Sequence, residues 1–250
     1  MEPLEALAIL SAGVGAGAIN AVVGSGTLLT FPVLIALGYP PLTANVSNNI
    51  GLVPGAVAGS HGYRRELTGQ RSRILALAGF SVAGAALGAT LLLVLPSSVF
   101  DAFVPVLIAI ALVLVVVQPH LERALAHRRD PEGKHGLVVR AAIGASAVYG
   151  GYFGAGQGIL LIAILGLAID DSLQRLNGLK NVLAGLVNFT AGVIFVFAAD
   201  VDWAVASLIA GGSLVGAVFG ARYGRRLSPT VLRALIVVVG TAAIIRLTLS

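Results

Sequence analysis

The chain carries an internal repeat, because residues of its first half return in its second half at a constant spacing of 132 positions. Gly24 and Gly26 correspond in this way to Gly156 and Gly158. The other matches are Asn45 with Asn177, Asn49 with Asn181, Ala78 with Ala210, Gly79 with Gly211, Ser81 with Ser213, Gly84 with Gly216, Gly88 with Gly220 and Ala89 with Ala221. An unchanging spacing indicates two related halves, which restricts the fold to one assembled from two similar units.

These halves are too apolar for a protein surrounded by water. Hydrophobic residues make up 57% of the 250 residues and charged residues 11%, whereas a soluble domain carries roughly 25% charged residues. We therefore expect a membrane protein, and a two-fold repeat in such a chain is typical of transporters. The first residues lack the basic region of a signal peptide, so the apolar run from Leu4 to Val23 is expected to belong to the fold.

Five apolar segments are predicted in each half. Their ranges are 4–23, 27–38, 44–60, 74–95 and 99–118 in the first half, and 137–153, 158–169, 176–198, 203–220 and 231–249 in the second. Segments 27–38 and 158–169 each extend only about 18 Å as helices, less than the roughly 30 Å of a hydrocarbon core. Each follows a glycine-rich break, and such short segments at matching positions indicate a binding site.

Loop charge predicts how the segments cross the membrane. Arginines place loops 61–73, 119–136 and 221–230 on the inner side, whereas loop 198–202 carries only aspartates and is placed outside. Because the repeat maps 61–73 onto 193–205, corresponding loops lie on opposite faces and the repeat is inverted. Either three full crossings with a hairpin of the first two segments, or five full crossings, satisfies this and leaves both termini outside.

The predicted fold is thus all-α: a polytopic transmembrane bundle of two inverted-topology repeats, with short broken or re-entrant helices where the repeats meet. The expected domains are a first repeat over 1–118, a basic cytoplasmic linker over 119–136 and a second repeat over 137–250. The expected location is the cell membrane of a prokaryote.

The first candidate site is the pair of breaks that precede the short helices. It comprises Gly24, Ser25, Gly26 and Thr27 in the first half and Gly156, Gln157 and Gly158 in the second. A helix that starts at such a break points free N–H groups and its positive dipole end into the gap, which favours an anion. The alternative is that the glycines only allow helices to cross closely.

The second candidate site is the polar start of the next helix in each half. Its residues are Thr43, Asn45, Ser47, Asn48 and Asn49 in the first half and Asn177, Lys180 and Asn181 in the second, of which the asparagines and the lysine are the predicted binding residues. Asparagines four positions apart share one helix face, and Lys180 corresponds to Asn48 in the repeat. These groups could bind an oxyanion in a cavity. Alternatively, the asparagines cap or bridge helices and Lys180 extends to the membrane surface.

Other chemistry finds little support in the sequence. Thiolate sites and disulfides are excluded because cysteine is absent, and the histidines lack the spacing of metal ligands. No Ser-His-Asp arrangement, phosphate-binding loop or pair of catalytic carboxylates is present, and no carboxylate lies in the middle of a predicted span. We therefore expect neither an enzyme nor a bound cofactor or metal, and the net charge of +5, gathered in a few loops, does not indicate nucleic-acid binding.

Two stretches of the chain resemble the TauE/SafE family of sulfite and organosulfur anion exporters. They read GAGAINAVVGSGTLLTFPVLIALGYPPLTANVSNNIGLVPGAVAGSHGYRREL and GYFGAGQGILLIAILGLAIDDSLQRLNGLKNVLAGLVNF, and the resemblance extends from about Ala8 to Ile245. The chain departs from the family's fuller glycine runs at Val23, Ser25 and Gln157. The resemblance implies secondary transport of small anions such as sulfite or sulfonates, usually outward.

The working hypothesis is therefore a secondary anion transporter that alternates access between its two repeats, with a small anion and membrane lipid as partners. A passive anion channel on the same scaffold and an accessory membrane subunit without transport remain as alternatives. The coupling ion, the direction and the oligomeric state, with a homodimer as one option, stay open.

Overall fold

Ten α-helices make up the described part of the chain in the computed structural model, which describes residues 1–125, 136–223 and 229–249. They are α1 (Pro3–Val22), α2 (Thr27–Ala36), α3 (Pro41–Gly62), α4 (Arg71–Val94), α5 (Ser97–Leu125), α6 (Gly136–Tyr152), α7 (Gln157–Ala168), α8 (Leu173–Ala198), α9 (Trp203–Tyr223) and α10 (Pro229–Leu249). No strand occurs in these ranges. The prediction of an all-α fold with five helices in each half is confirmed.

Several of these helices suit a membrane. Five in the described ranges are long and apolar enough to cross one, namely Pro3–Val22, Arg71–Val94, Ser97–His120, Leu173–Ala198 and Trp203–Tyr223. Large apolar side chains also point outward, such as Phe197 with 86% exposure, which only a hydrocarbon solvent makes favourable over a whole surface. The two short helices are α2 with 10 residues and α7 with 12, as the sequence predicts.

Helices of one half pack mainly on helices of the other. Helix α1 packs along α9 and α6 packs along α4, while α3 contacts α9 and α8 contacts α4. The short helices follow the same rule, since α2 lies on α10 and α7 lies on α5. The repeat relates these contacts in twos: α1 on α9 corresponds to α6 on α4, α3 on α9 to α8 on α4, and α2 on α10 to α7 on α5. The halves therefore interlock, and the inverted orientation of the repeat stays a prediction.

Glycine allows two of these pairings, α1 with α9 and α4 with α6, to form with their backbones in contact. A Cβ added at Gly216 of α9 would overlap the carbonyl oxygen of Val14 on α1, and one added at Gly88 of α4 would overlap that of Val148 on α6. Such backbone contact between helices is how small residues hold membrane bundles together, because lipid supplies no hydrophobic force between helices.

The predicted linker begins inside a helix. Helix α5 continues past Pro119 to Leu125, and α6 begins at Gly136, so helical residues enter both ends of the range 119–136. Residues 126–135 of that range, and the basic residues in it beyond Arg123, lie outside the described part of the chain. The proposed boundaries between repeats and linker stay predictions.

Candidate functional site

The two breaks have related backbone geometry. The first joins α1 to α2 over residues 23–26, and the second joins α6 to α7 over residues 153–156. Gly24 has φ = 87° and its repeat counterpart Gly156 has φ = 75°, values that glycine adopts without the strain a side chain would add. Gly24 follows the end of α1, where its geometric counterpart after α6 is Gly154 with φ = 78°, whereas Gly156 is the N-cap of α7.

The breaks touch each other through their backbones. The N–H of Gly158 donates to the carbonyl oxygen of Gly24 across 3.0 Å, and a Cβ at Gly24 would lie 2.6 Å from the Cα of Gly158. These two glycines are needed so that the halves can meet this closely. The other first amides of α7 also have acceptors, since Gln157 donates to Gly154 and Ile159 donates to Gly156.

Ser25, inside the first break, and Gln157, the first residue of α7 after the second break, each carry a buried polar group without a partner in the described structure. Ser25 is 1% exposed and Gln157 is 3% exposed, and neither Ser25 Oγ nor Gln157 Nε2 has a hydrogen-bond partner. Both residues occupy the same position of the repeat. Because an unsatisfied buried polar atom costs about 1–3 kcal/mol, its occurrence at both equivalent positions calls for an explanation.

Polar residues of α3 hold the two breaks in place. Asn45 Nδ2 donates to the carbonyl oxygen of Tyr152, at the end of α6, across 2.9 Å. Asn48 lies beside the start of α2, where its amide donates to Thr27 Oγ1 at 3.4 Å and its oxygen accepts from Thr30 Oγ1. Asn49 is also buried, and its Oδ1 has no partner among the described residues.

Polar residues of α8 act on the opposite break. The Lys180 ammonium donates to the carbonyl oxygens of Asn20, at 3.1 Å, and Ala21, at 3.5 Å, at the end of α1. Asn181 Nδ2 also donates to Ala21, at 3.2 Å, and Asn177 is buried on the same helix. Because the last carbonyls of a helix form its negative end, they stabilise the lysine charge. Lys180 has no exposed surface, so it does not extend to the membrane surface.

The two halves thus exchange the same kind of contact. Asparagine of α3 binds the last turn of α6, and asparagine and lysine of α8 bind the last turn of α1. The structure brings the two candidate sites together, since the Lys180 Cδ lies 3.3 Å from the Cβ position of Gly24. The breaks and polar segments form one region where the repeats meet.

Other residues of this region were not predicted. Asn20 Oδ1 accepts from the Gly26 amide at 3.4 Å, and the Tyr149 hydroxyl donates to the carbonyl oxygen of Ala155 at 2.6 Å. Phe153 packs edge to face on Phe31 of α2, with ring centroids 5.2 Å apart. The available signal was their position, because Asn20 is a polar residue in an apolar run just before a break.

A small cavity adjoins the polar contacts of α8. It is lined by Asn20, Ala21, Gly55, Ala56, Gly59, Asn181 and Ala184 and has a volume of about 10 Å³. This is close to the smallest space that holds one water molecule. A sulfur oxyanion is larger, so the region must open before such an ion can bind beside Asn181.

Two polar clusters lie at loop ends away from the breaks. In one, Asp171 accepts from Arg73 at 2.7 Å and from Arg175 at 2.9 Å. Burial raises the pKa of Asp171, but hydrogen bonds from both arginines outweigh it and bring the pKa below its ordinary value. In the other, the Tyr39 hydroxyl donates to Glu5 at 2.6 Å.

Comparison with known proteins identifies the family of this chain. Residues 9–247 match the family described as "Sulfite exporter TauE/SafE". The chain is 31% identical over 238 residues to "Probable membrane transporter protein ORF9" of Sinorhizobium sp, covering 93% of this chain and 88% of that protein. It is 26% identical over 236 residues to a "Probable membrane transporter protein" of Haemophilus influenzae, covering 94% and 91%.

A further relative is "Probable membrane transporter protein YfcA" of Escherichia coli, 25% identical over 213 residues, which cover 85% of this chain and 76% of that protein. No solved structure matches the chain significantly. The match over nearly the whole chain, together with the apolar helices that frame the two breaks, shows that this protein belongs to the sulfite exporter TauE/SafE family of membrane transporters.

Proposed function

We propose that the protein is a secondary transporter, working as an exporter, for small sulfur-containing anions such as sulfite or sulfonates. The observation that carries the proposal is the pair of buried, unpartnered donors Ser25 Oγ and Gln157 Nε2 at equivalent positions of the two breaks. An oxyanion accepts hydrogen bonds from both a hydroxyl and an amide. Its binding would give a partner to each group that the protein leaves unsatisfied.

The charge around the breaks supports an anion over a cation or a neutral solute. Helices α2 and α7 begin at the breaks, and the N-terminal end of a helix is positive. Lys180 adds a full positive charge, and the carbon chain of its side chain lies against Gly24. No acidic side chain lines the small cavity beside it.

Alternating access would follow from the contacts that cross between the halves. The Gly158–Gly24 hydrogen bond and the contacts of Lys180 with the end of α1 both join one half to the other. Moving one half against the other breaks these bonds and frees the Gly158 amide and the ammonium for an anion. In this proposal the anion takes the place of carbonyl oxygens as the partner of both donors.

The direct test is a thermal-shift screen of the purified protein against sulfite, thiosulfate, short sulfonates and carboxylates. Stabilisation by sulfur oxyanions at micromolar to millimolar concentration is expected, since a ligand at about 100 times its Kd adds about 2.7 kcal/mol. Stabilisation only by cations or neutral solutes would overturn the anion assignment. A carboxylate preference would keep the anion and reject the sulfur specificity.

Lys180→Met should reduce anion affinity about tenfold or more while the protein still folds, because a hydrogen bond to a charged group contributes about 1.5–3 kcal/mol. Methionine keeps most of the volume of the buried side chain and removes the charge; Lys180→Ala tests the same loss with a cavity. The measurement is anion flux into proteoliposomes, together with the thermal shift. Wild-type flux in either variant would reject the role of Lys180.

Flux measurements also separate the alternatives. A transporter should accumulate anion against its gradient when a pH or ion gradient is imposed, whereas a channel only equilibrates it. If the purified single protein shows no anion binding and no anion flux, the accessory subunit becomes the favoured alternative.

A further inference from the structure

A basic cleft opens at the end of α3 and α9, away from the breaks. Its polar lining is His61, Arg64, Arg65, Glu66 and Arg222, and its other lining residues are Ala58, Gly62, Val218 and Ala221. It has a volume of about 630 Å³, which is large enough for a phosphate-bearing headgroup. It shares no lining residue with either break, and the transport proposal does not use it.

The charge of this cleft suits an anion with several oxygen atoms. Three arginines face one glutamate in its lining, and all three arginines are exposed. A guanidinium presents a planar fork of donors that matches the oxygens of a phosphate. The Arg64 guanidinium donates one hydrogen bond to the carbonyl oxygen of His61, at 3.3 Å. This bond holds the Arg64 side chain over the loop.

Exposed apolar side chains lead along the helices into the cleft. On α9, Leu214 and Val218 lie two turns and one turn before Arg222 and are 46% and 52% exposed. On α3, Val57 lies one turn before His61 and is 65% exposed. Because residues four apart share a helix face, the α9 stripe of Leu214 and Val218 ends in Arg222 at the cleft.

Apolar side chains followed by arginines are typical of the level at which a helix passes from the hydrocarbon core to the lipid headgroups. Apolar stripes on spanning helices face lipid chains, and arginines at their ends reach the level of the headgroups. The Arg222 guanidinium lies 5.5 Å from the centre of the Tyr223 ring, and tyrosine is enriched at the same level of the membrane. A bound molecule would contact arginines at one end and apolar side chains at the other.

We propose that the basic cleft is a binding site for an anionic phospholipid. Its phosphate binds Arg65 and Arg222, and an acyl chain lies along the α9 stripe of Leu214 and Val218. A free inorganic phosphate shares the headgroup chemistry but makes no use of this apolar stripe. The site is independent of the substrate that the protein transports.

The test compares phosphatidylglycerol with phosphatidylcholine on the full chain in detergent, by native mass spectrometry and by thermal shift. Wild type should bind phosphatidylglycerol at least tenfold more tightly. Each of the two arginines that bind the headgroup contributes about a fivefold effect, so the double variant Arg65→Gln with Arg222→Gln should lose roughly 25-fold in affinity. Arg71→Gln, which removes an exposed arginine outside the cleft lining, should change nothing.

Three results would overturn the proposal. They are equal binding of the two lipids by wild type, unchanged phosphatidylglycerol binding in the double variant, and full competition by millimolar inorganic phosphate, which would show a site for free anions. If the double variant does not fold, the wild-type comparison and the single variant Arg65→Gln still decide, because Arg65 is an exposed loop residue. Anion flux is not part of this readout, so a failed transport proposal leaves the test intact.

Discussion

At the scale of single residues, the repeat places different chemistry at equivalent positions. Lys180 binds carbonyl oxygens at the end of α1, whereas its counterpart Asn48 binds hydroxyls at the start of α2. A buried charge is costly unless hydrogen bonds and a favourable dipole offset its desolvation. The positive charge therefore belongs to one half only, and an anion between the halves would be held asymmetrically.

Ser25→Ala separates stability from binding. The serine hydroxyl has no partner in the described structure, so its loss should leave stability unchanged or raise it by up to about 3 kcal/mol, the upper cost of an unsatisfied buried polar atom. The same change should weaken stabilisation by sulfur oxyanions several-fold if Ser25 Oγ donates to the anion. Thermal unfolding with and without anion measures both effects.

Ser213→Ala is the matched control for that experiment. Ser213 is equally buried, but its hydroxyl donates to the carbonyl oxygen of Gly51 at 2.8 Å. Its loss should lower stability by about 1 kcal/mol and leave the anion effect unchanged. An unaltered anion effect in Ser25→Ala would remove the serine from the proposed site.

The sequence predicted where the polar residues cluster but not what they bind. The constant spacing brought Ser25 and Gln157 into one comparison, and the structure leaves a polar atom of each without a partner. The sequence could not indicate that Lys180 binds the end of α1, because the spacing of residues along α8 does not identify the helix that faces Lys180. Asn20 and Phe153 were missed for the same reason, since their partners lie across a break or in the other half.

At the scale of helices, glycines set which pairs can come into backbone contact. The sequence predicted ten helices, two of them short, because apolar runs and glycine breaks separate them, although α5 extends beyond the predicted residue 118 to Leu125. It did not predict that α1 packs along α9 and α4 along α6. Helices that are apolar on every side carry no periodic pattern that identifies their neighbour.

Gly88→Ala should destabilise the protein by about 1–3 kcal/mol, the usual cost of overpacking, because the added Cβ would overlap the carbonyl oxygen of Val148 on α6. Gly79→Ala on the same helix is the control. Nothing lies within 4 Å of its added Cβ, and alanine favours helix by about 0.5–1 kcal/mol over glycine. Thermal unfolding in one detergent measures both variants, and equal stability of the two would show that α4 and α6 do not depend on this close approach.

At the scale of the whole molecule, contacts near the loops join residues that are predicted to lie on the same side of the membrane. The Tyr39 hydroxyl donates to Glu5, and the Asp202 amide donates to Ser47 Oγ at 2.9 Å. The predicted topology places Tyr39 and Asp202 outside, and Glu5 and Ser47 at the outer ends of segments 4–23 and 44–60. Asp171 binds Arg73 and Arg175, while Arg175 also donates to the carbonyl oxygen of Thr68 at 3.1 Å. The predicted topology places this second group inside, so the contacts support an inverted repeat.

Single-cysteine labelling can test the inversion because the natural chain has no cysteine. Pro40 and Ser172 are repeat counterparts, each precedes the first residue of the third helix of its half, and both are exposed. In an inverted repeat they face opposite sides. A membrane-impermeant maleimide should therefore label Pro40→Cys in intact cells and Ser172→Cys only after the membrane is permeabilised.

The sidedness controls are Asp200→Cys, placed outside by its acidic loop, and Thr68→Cys, placed inside by its arginine-rich loop. Labelling of Pro40→Cys and Ser172→Cys from the same side would show a parallel repeat, in which the two breaks enter the membrane from one face. Reversed labelling would keep the inversion and exchange inside for outside. Only opposite sides allow the breaks to approach one another head to head, which is the geometry that one anion held between Ser25 and Gln157 requires.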